Sequence, residues 1–481
     1  MAATWSSAAT QFTDRQANGI DGVVRREMQA RSIPGLQVSL VRNGRIVFSK
    51  AYGVADLESR APVTRDSVFT LNSSTKAFTG VAIMQLVQAG RVALDAPVSR
   101  YLDNLPPAWR GVTIGQLLTH VSGLPDILVQ PKGQGTGSLV GDGSEASAWS
   151  VVQTMPIEVP AGTRYRYNQT NYVLLGKVID RITGAPFAEE MRHRQFIPAG
   201  MTHTAFGDAR TIMPGRVRTY RYAGGRVDAG ANAAGLEHAF DDFAPFIRTA
   251  GGLNASADDV AHWLISLQNG ALLDTHALKT MWTAGTFSDG SPTPWAMGWP
   301  LQARAEHPVV AGIGGRRAAF FVYPEDDLAI VVLTNLAGAN PEEFIDEIAG
   351  QFYPDLLAVN GGGLSPQVKQ LRLALIKEGF DAAPAAYARL KAADPGYTLQ
   401  EAELNAWGGQ LMGQGKLGNA ICVFKLATEL YADSANTYDS LAEAYEAAGE
   451  KALAVASYTR SLALDAGNDH ARSRLSALQS E

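Results

Sequence analysis

The sequence has little of several features that define common protein classes. Its 481 residues include one cysteine, Cys422, so an internal disulfide or a thiolate metal cluster is excluded. Eight histidines are present, but none shows the H-E-x-x-H spacing, and a zinc site has no support. No run of lysine and arginine stands out against a net charge of −6, which argues against nucleic acid as the main partner. No apolar run is long enough to predict a membrane span.

The N-terminal segment is also defined by what it lacks. Residues 1–16 (MAATWSSAATQFTDRQ) have neither the basic nor the apolar region of a secretory signal peptide. We therefore expect either a cytoplasmic protein or a chain from which the leader is absent.

Two pairs of strands are predicted, one near the N-terminus and one that ends at residue 334. In residues 35–55, β-rich runs flank Asn43-Gly44, a turn sequence whose residues tolerate positive φ. The second pair is residues 318–323 and 328–334, joined by a Pro-Glu-Asp-Asp turn. Strands at both ends with helices between them predict the α/β (α+β) class, with one antiparallel sheet covered by helices. The Gly- and Ser-rich residues 131–150 predict a long surface loop.

The chain changes character after residue 358. Residues 359–366 form a Gly-rich linker pattern, and residues 367–481 are rich in Ala and Leu with a repeat of 34 residues. The tetratricopeptide signature positions of the last repeat are Tyr438, Leu441, Ala442, Tyr445, Gly449, Ala454, Tyr458 and Ser461. Those of the preceding repeat are Leu404, Trp407, Gly408, Leu411, Gly415, Ala420, Phe424 and Ala427. With a degenerate unit near Gln367, the pattern predicts an all-α tetratricopeptide-repeat domain, the alternative being an unrelated helical bundle.

The sequence with the clearest chemical meaning is Ser73-Ser74-Thr75-Lys76. The apolar residues that follow recur at helical spacing up to Gly90, which predicts Ser73 at the N-terminus of a buried helix with Lys76 one turn later. A serine hydroxyl is a weak nucleophile until a base takes its proton, and a lysine serves as base where burial and the positive helix end disfavour its charged form. The alternative is that Ser73 is only a helix N-cap.

The motifs around this serine resemble those of the serine β-lactamase-related family, which includes class C β-lactamases, penicillin-binding carboxypeptidases, D-aminopeptidases and family VIII esterases. The resemblance extends from about residue 20 to residue 354. Its motifs, in order, are IPGLQVSLVRNGRIV, SSTK, LLTHVSGLP, YRYNQTNYVLLG, AGGLNASADDV and VVLTN. The resemblance implies a β-lactamase/transpeptidase-like domain over residues 20–358, preceded by an N-terminal extension of residues 1–19.

The family's second motif, Tyr-x-Asn, corresponds to Tyr167-Asn168-Gln169. The resemblance implies that Tyr167 is the general acid/base, which shares a proton with Lys76 and passes it to the leaving group. The alternative is a packed aromatic residue. Gln169 keeps the amide of the family's asparagine with one more methylene, so it is a candidate to hold Lys76 or a substrate carbonyl.

The family's third motif, Lys/His-x-Gly, corresponds to Gly312-Ile313-Gly314, followed by Gly315. The cation is missing, but glycines let the backbone approach a substrate closely. The resemblance implies an oxyanion hole formed by the N–H groups of Ser73 and Gly315, with Gly312 and Gly314 beside the substrate. The alternative is a simple β-bulge. Without the cation, we expect weak turnover of β-lactams.

Three other polar residues near these motifs are given structural interpretations. Arg316 and Arg317 point to opposite faces of a strand, so at most one could replace the missing cation, and we expect both to be solvated surface charges. His120 lies in a segment that is a structural signature of the family, and we interpret it as structural.

Two kinds of function remain open. The first is a hydrolase that forms an acyl-enzyme on Ser73 with no cofactor, acting on esters, then D-amino-acid peptides or amides, then β-lactams, in falling order of expectation. The second is a non-enzymatic sensor or scaffold whose repeats recruit a peptide partner or mediate self-association. The family's habit implies a periplasmic or secreted location.

Overall fold

The computed structural model describes residues 12–128, 144–222, 235–241, 243–302, 307–354, 356, 365–413 and 416–480. The chain divides into two compact units. The first unit comprises Met1–Ala17, Ile33–Tyr220 and His238–Glu342, and the second comprises Asn18–Ser32, Arg221–Glu237 and Glu343–Glu481. The predicted linker, residues 359–366, lies outside the described residues except for Ser365 and Pro366, where a helix begins.

The long strands all belong to one large sheet, and the other strands have two or three residues. Their bounds are β1 (Gly35–Arg42), β2 (Arg45–Gly53), β3 (Phe69–Thr70), β4 (Ala205–Phe206), β5 (Tyr220–Tyr222), β6 (Leu236–His238), β7 (Leu253–Ala255), β8 (Leu301–Gln302), β9 (Val309–Gly314), β10 (Ala318–Tyr323), β11 (Leu328–Thr334) and β12 (Leu336–Ala337).

The large sheet has six strands in the order β2-β1-β11-β10-β9-β8. Strand β1 pairs antiparallel with β11, with Val38 opposite Val332, so the two ends of the first unit meet in the middle of the sheet. Every residue of β10 and β11 is buried, which requires cover on both faces. The prediction of an antiparallel sheet built from both ends is confirmed, as are the bounds of β10 and β11. It is not the single sheet that was expected, because β3, β7 and β4 form a separate three-stranded sheet in the first unit.

The turn between β1 and β2 has the predicted geometry. Asn43 and Gly44 have φ values of 51° and 66°, the conformation that matches the twist of a two-residue hairpin. This hairpin fixes the register of the edge of the sheet.

Helices fill the sequence between the strand pairs. Their bounds are α1 (Asp14–Arg31), α2 (Thr75–Gln88), α3 (Ile114–Leu118), α4 (Glu145–Thr154), α5 (Thr170–Thr183), α6 (Phe187–Met191), α7 (Ile197–Ala199), α8 (Ala257–Gln268), α9 (Thr275–Trp282) and α10 (Ile345–Ala349). Helix α1 begins within the predicted extension of residues 1–19. The loop predicted over residues 131–150 is wrong at its end, because Ser144 caps α4 and residues 145–150 are helical; residues 131–143 lie outside the described residues.

Helix α2 is held by an aromatic stack in the core of the first unit. The ring of Phe78 stacks on Trp263 at 3.7 Å between centroids, and Trp263 stacks on Trp299 at 5.7 Å. Phe320 of β10 meets Phe78 edge-on at 6.4 Å. The position of α2, and of the turn before it, is therefore fixed by large buried rings.

The C-terminal region is entirely helical where it is described. The helices are α11 (Pro366–Glu378), α12 (Ala383–Ala393), α13 (Glu401–Gly413), α14 (Leu417–Leu430), α15 (Ala435–Ala447), α16 (Lys451–Leu464) and α17 (Asp469–Ser480). Helices α13, α15 and α17 begin at residues 401, 435 and 469, which keeps the 34-residue period of the sequence. A Cβ on Gly408 would lie 2.4 Å from the Phe424 ring, so α13 and α14 cross closely. The tetratricopeptide assignment stays a prediction. None of the helices in the described ranges is long and apolar enough to cross a membrane.

A network of buried charges joins α1, α10 and α11 within the second unit. Glu343 receives hydrogen bonds from Arg31, at 3.0 Å, and from Arg372. Glu347 contacts Lys369 at 2.8 Å. Burial lowers the pKa of Arg31, but the carboxylates of Glu27 and Glu343 outweigh that effect and raise it. Each buried charge therefore has a partner of opposite sign.

Candidate active site

Ser73 lies in a 3-10 turn, Asn72–Ser74, that leads directly into α2. The predicted buried helix is present, and Ser73 is in the turn before its first residue. Thr75 tightens the turn by donating its hydroxyl to the Asn72 carbonyl at 2.6 Å. Ser73 is half-buried while both its neighbours are buried, so this serine alone in the turn is accessible to a substrate.

Lys76 is fully buried beneath this turn. Its Nζ donates to the carbonyl of Ala250 at 3.0 Å and lies over the rings of Tyr167, at 4.7 Å, and Tyr172, at 5.4 Å. Among the described residues, the ammonium has no salt bridge and no hydrogen bond to Ser73 or to the Tyr167 hydroxyl. A carbonyl dipole and two ring faces therefore stabilise this buried cation.

Tyr167 lies at the mouth of the site, with 37% of its surface exposed. Its ring centroid is 4.5 Å from that of His120 and 5.5 Å from that of Trp295. The aromatic neighbours hold the ring over Lys76 while leaving part of the residue in solvent. Tyr167 thus combines a packed ring with an accessible position beside the lysine.

His120 is the buried centre of this aromatic group. Its Nδ1 accepts the backbone N–H of Asn168 at 3.3 Å and lies 3.2 Å from the side-chain nitrogen of Asn171, so the proton of the neutral ring is on Nε2. Burial, and then the charge of Lys76, hold the pKa of His120 well below its ordinary value. A neutral histidine that fixes the Tyr167 segment agrees with the structural interpretation.

Gln169 lies at the start of α5 and is half-buried. Its side chain makes no hydrogen bond with a described residue. Its backbone N–H donates to Asp126 Oδ1 at 3.1 Å, and Leu128 N–H donates to the same oxygen at 3.0 Å. The structure does not bring the Gln169 amide into contact with Lys76.

Asp126 is a polar residue of the site that sequence reasoning missed. It is 9% exposed, and burial raises the pKa of its carboxyl group, opposed by the two backbone hydrogen bonds and by attraction to Lys76. The only signal in the sequence was its position at the end of the LLTHVSGLP motif, where nothing marks it as close to Lys76.

The glycines of β9 directly approach the turn that contains Ser73. A Cβ on Gly314 would lie 1.9 Å from the Leu71 carbonyl and 2.9 Å from the Ser73 nitrogen. Gly315 is exposed, has φ of 58°, and a Cβ there would lie 1.9 Å from the Asn72 amide nitrogen. The strand and the turn are thus in backbone contact, and only glycine permits that distance.

Gly312 lies differently from the other two. It pairs with Phe320 of β10, and a Cβ on Gly312 would lie 2.0 Å from the Phe320 ring. The ring fills the space that a side chain at this position would need. This chain therefore has a glycine where the third motif has a cation, and an aromatic ring from the neighbouring strand fills the space beside that glycine.

The expectation for Arg317 was wrong. This residue is 6% exposed, and its guanidinium donates to both carboxylate oxygens of Asp241, at 2.8 and 2.9 Å. The carboxylate offsets the cost of burying the arginine. Arg316 is half-buried, with φ of 54°.

The site as a whole unites Ser73, Lys76, Tyr167, Gly314 and Gly315, while Gly312 faces the core and the Gln169 amide is not engaged. Within the described ranges, no group of three or more histidine, cysteine or acidic residues is placed to hold a metal ion. The arrangement provides an accessible hydroxyl, a buried amine, a phenol and a glycine strand edge.

A protein-family comparison gives this arrangement its context. The family model described as "Beta-lactamase" matches residues 20–352. The chain belongs to the beta-lactamase family. The family assignment and the antiparallel sheet flanked by helices agree with the fold predicted from the sequence.

Individual relatives of this beta-lactamase-family chain are distant. Protein flp of Staphylococcus aureus is 25% identical over 353 residues, covering 71% of this chain and 68% of its own. Esterase EstB of Burkholderia gladioli is 29% identical over 354 residues, covering 66% of this chain and 90% of its own. The crystal structure of D-amino acid amidase from Ochrobactrum anthropi is 24% identical, covers 71% of this chain and 99% of its own, and superposes with a TM-score of 0.57. The protein is an enzyme of the serine hydrolase type.

Proposed function

We propose that this enzyme cleaves esters and amides through an acyl-enzyme on Ser73. The observation that carries the proposal is the accessible Ser73 above the buried Lys76, in backbone contact with Gly314. EstB is named an esterase and the Ochrobactrum protein a D-amino acid amidase, and both reactions transfer an acyl group from oxygen or nitrogen.

In the proposed reaction, Ser73 Oγ forms a bond to the substrate carbonyl carbon. The hydroxyl proton passes through Lys76 and Tyr167 to the leaving oxygen or nitrogen as its bond to carbon breaks. Water then attacks the acyl-enzyme, its proton returns through the same pair to Ser73, and the acid leaves. The N–H groups of Ser73 and Gly315 are the proposed donors to the oxyanion.

The proposal includes weak or no turnover of β-lactams. Phe320 occupies the space beside Gly312, so no side chain there offers a cation to a substrate carboxylate, and Arg317 is already engaged by Asp241. Gln169 and Gly314 are proposed to border the substrate.

The test compares the chain with its Ser73→Ala variant on p-nitrophenyl butyrate and on a chromogenic cephalosporin. We expect ester hydrolysis that is lost in the variant, and little cephalosporin turnover. Retained ester hydrolysis in Ser73→Ala would show that another group is the nucleophile. Rapid cephalosporin turnover would show that the missing cation does not limit β-lactams.

For the C-terminal helices, we propose tetratricopeptide repeats that bind a peptide or a second copy of the chain. The 34-residue spacing of helix starts and the burial of Trp407, Tyr445 and Tyr458 support this. Sedimentation of the full chain over a range of concentrations tests self-association, and a constant monomer mass would leave peptide binding as the role of the repeats.

A further inference from the structure

The first unit contains a cavity of about 370 Å³ whose lining includes none of the residues that carry the proposed reaction. Its lining includes Ile212 and Phe240, which are 98% and 75% exposed and are the two most exposed large apolar residues of the described chain. Single exposed apolar side chains are ordinary, but two around one cavity indicate a ligand surface.

The charges around this cavity are predominantly positive. Its lining includes Arg210, Arg216 and Arg218. Arg216 donates to the backbone carbonyls of Asp208 and Ala209, whereas the exposed side chain of Arg218 makes no hydrogen bond or salt bridge with a described residue.

Three carboxylates in contact with the lining, those of Asp208, Asp241 and Glu58, already have partners. Asp208 accepts the backbone N–H of Arg210 at 3.0 Å and the hydroxyl of Thr211 at 3.2 Å. Asp241 is bound in a bidentate pair with Arg317, and Glu58 lies 3.2 Å from Nε2 of His238. None of the three makes a hydrogen bond or salt bridge with the Arg218 side chain. A carboxylate ligand would supply the acceptor that a guanidinium binds best.

We propose that this cavity binds a carboxylate carried on an apolar group, with Arg218 as the anion ligand and Ile212 and Phe240 against the apolar part. The volume suits a ligand the size of an aryl-alkyl acid. The cavity wall is connected to the turn after β9 by two contacts. Asp241 of the lining binds Arg317, and Arg317 Nε lies close to Gly315, 3.1 Å from the position that a Cβ on this glycine would occupy. The ligand is either the acyl part of a substrate or a separate effector.

Calorimetry of the full-length Ser73→Ala chain with 4-phenylbutyrate, and with 4-phenylbutan-1-ol as the uncharged match, tests the site independently of catalysis. We expect saturable binding of the acid, weaker binding of the alcohol, and a loss of affinity of about 10- to 100-fold in Arg218→Glu. Arg218→Lys should retain much of the affinity, and Phe240→Ser should weaken it. The control is Arg100→Glu, the same charge change at an exposed arginine outside the cavity.

Equal binding of the acid and the alcohol, no saturable binding, or an unchanged affinity in Arg218→Glu would each overturn the proposal. Kinetics of the Ser73-containing chain separate the two sources of ligand. If the cavity receives the acyl group, Arg218→Glu raises KM for mono-p-nitrophenyl glutarate but not for p-nitrophenyl butyrate. If the ligand is a separate effector, acid binding depends on Arg218 while both KM values stay unchanged.

Discussion

Buried cations are treated in opposite ways in the two units of this chain. In the second unit, Arg31 and Arg372 share the buried carboxylate of Glu343. In the first unit, Lys76 is fully buried and has no salt bridge to a described residue; a carbonyl and two aromatic rings surround it. The charges of the second unit are paired with one another, whereas the Lys76 amine has no carboxylate partner among the described residues and lies one turn of chain after Ser73. The contrast distinguishes a structural network of ion pairs from the proposed catalytic site.

The largest expected effect is that of Lys76→Met. Ester hydrolysis should fall by roughly 1,000-fold or more, because the proton path from Ser73 is removed. The free energy of unfolding should stay constant or rise, because an unpaired buried charge is replaced by an apolar side chain of similar length. Activity assays and urea denaturation measure the two quantities. A large loss of stability would show that Lys76 is structural.

In the second unit, the corresponding change is Arg372→Met. It leaves Glu343 with one cation fewer and should lower the free energy of unfolding by roughly 3 kcal/mol. The matched control is Arg389→Met, which removes an arginine with 53% exposure that pairs with Glu378 and should cost less than about 1 kcal/mol. Equal effects in urea denaturation would contradict the distinction between buried and exposed pairs.

A truncation before α11 removes Lys369 and Arg372 together. We expect it to lower the free energy of unfolding more than Arg372→Met or Arg389→Met does.

Glycines give a second comparison between the units. In Gly314→Ala the new Cβ meets the backbone of the Ser73 turn, which cannot move without displacing Ser73, the proposed nucleophile, so we expect loss of hydrolysis. In Gly408→Ala it meets the Phe424 ring, which can shift, and we expect a stability loss of about 1–3 kcal/mol with hydrolysis retained. Active Gly314→Ala protein would show that the close approach of β9 to the turn is unnecessary.

The last predicted effect concerns pH. Because the folded-state pKa of His120 lies well below the ordinary value, the unfolded chain binds more protons below about pH 6.5, and stability should fall as the pH is lowered from that value. The contribution of this group reaches about 1.4 kcal/mol per pH unit. His120→Gln should flatten the curve between pH 7 and 5. Asp126, whose pKa is raised by burial, acts in the opposite direction once the pH falls to the range in which its carboxyl group takes up a proton. Parallel curves for the two proteins in denaturation at several pH values would refute the assignment.

Sequence patterns predicted the parts of the fold that depend on local spacing. The bounds of β10 and β11, the Asn43-Gly44 turn and the buried helix after Ser73 were all predicted correctly, because each is set by neighbours within a few residues. The end of the loop over residues 131–150 was wrong, since a helix cap at Ser144 outweighed the Gly- and Ser-rich composition.

The sequence predicted which residues belong to the candidate site, but it did not predict the contacts that they make. Ser73, Lys76, Tyr167 and Gly314 were named from motifs and lie together. The interpretation of Arg317 failed because its partner, Asp241, is 76 residues away in the chain. Asp126 was missed for the same reason, since its relation to Lys76 exists only after folding.

The sequence by itself determined the chemical groups of this protein: a serine and a lysine one helical turn apart, a glycine-rich strand, a tyrosine and a 34-residue helical repeat. Only the tertiary structure decided which charges are paired and which are not. Burial places Lys76 against a carbonyl and two rings, gives Arg317 a carboxylate, and sets Phe320 where the family has a cation. Spacing along a chain fixes what lies on one helix or strand, but the electrostatic state of a side chain depends on neighbours that only packing supplies.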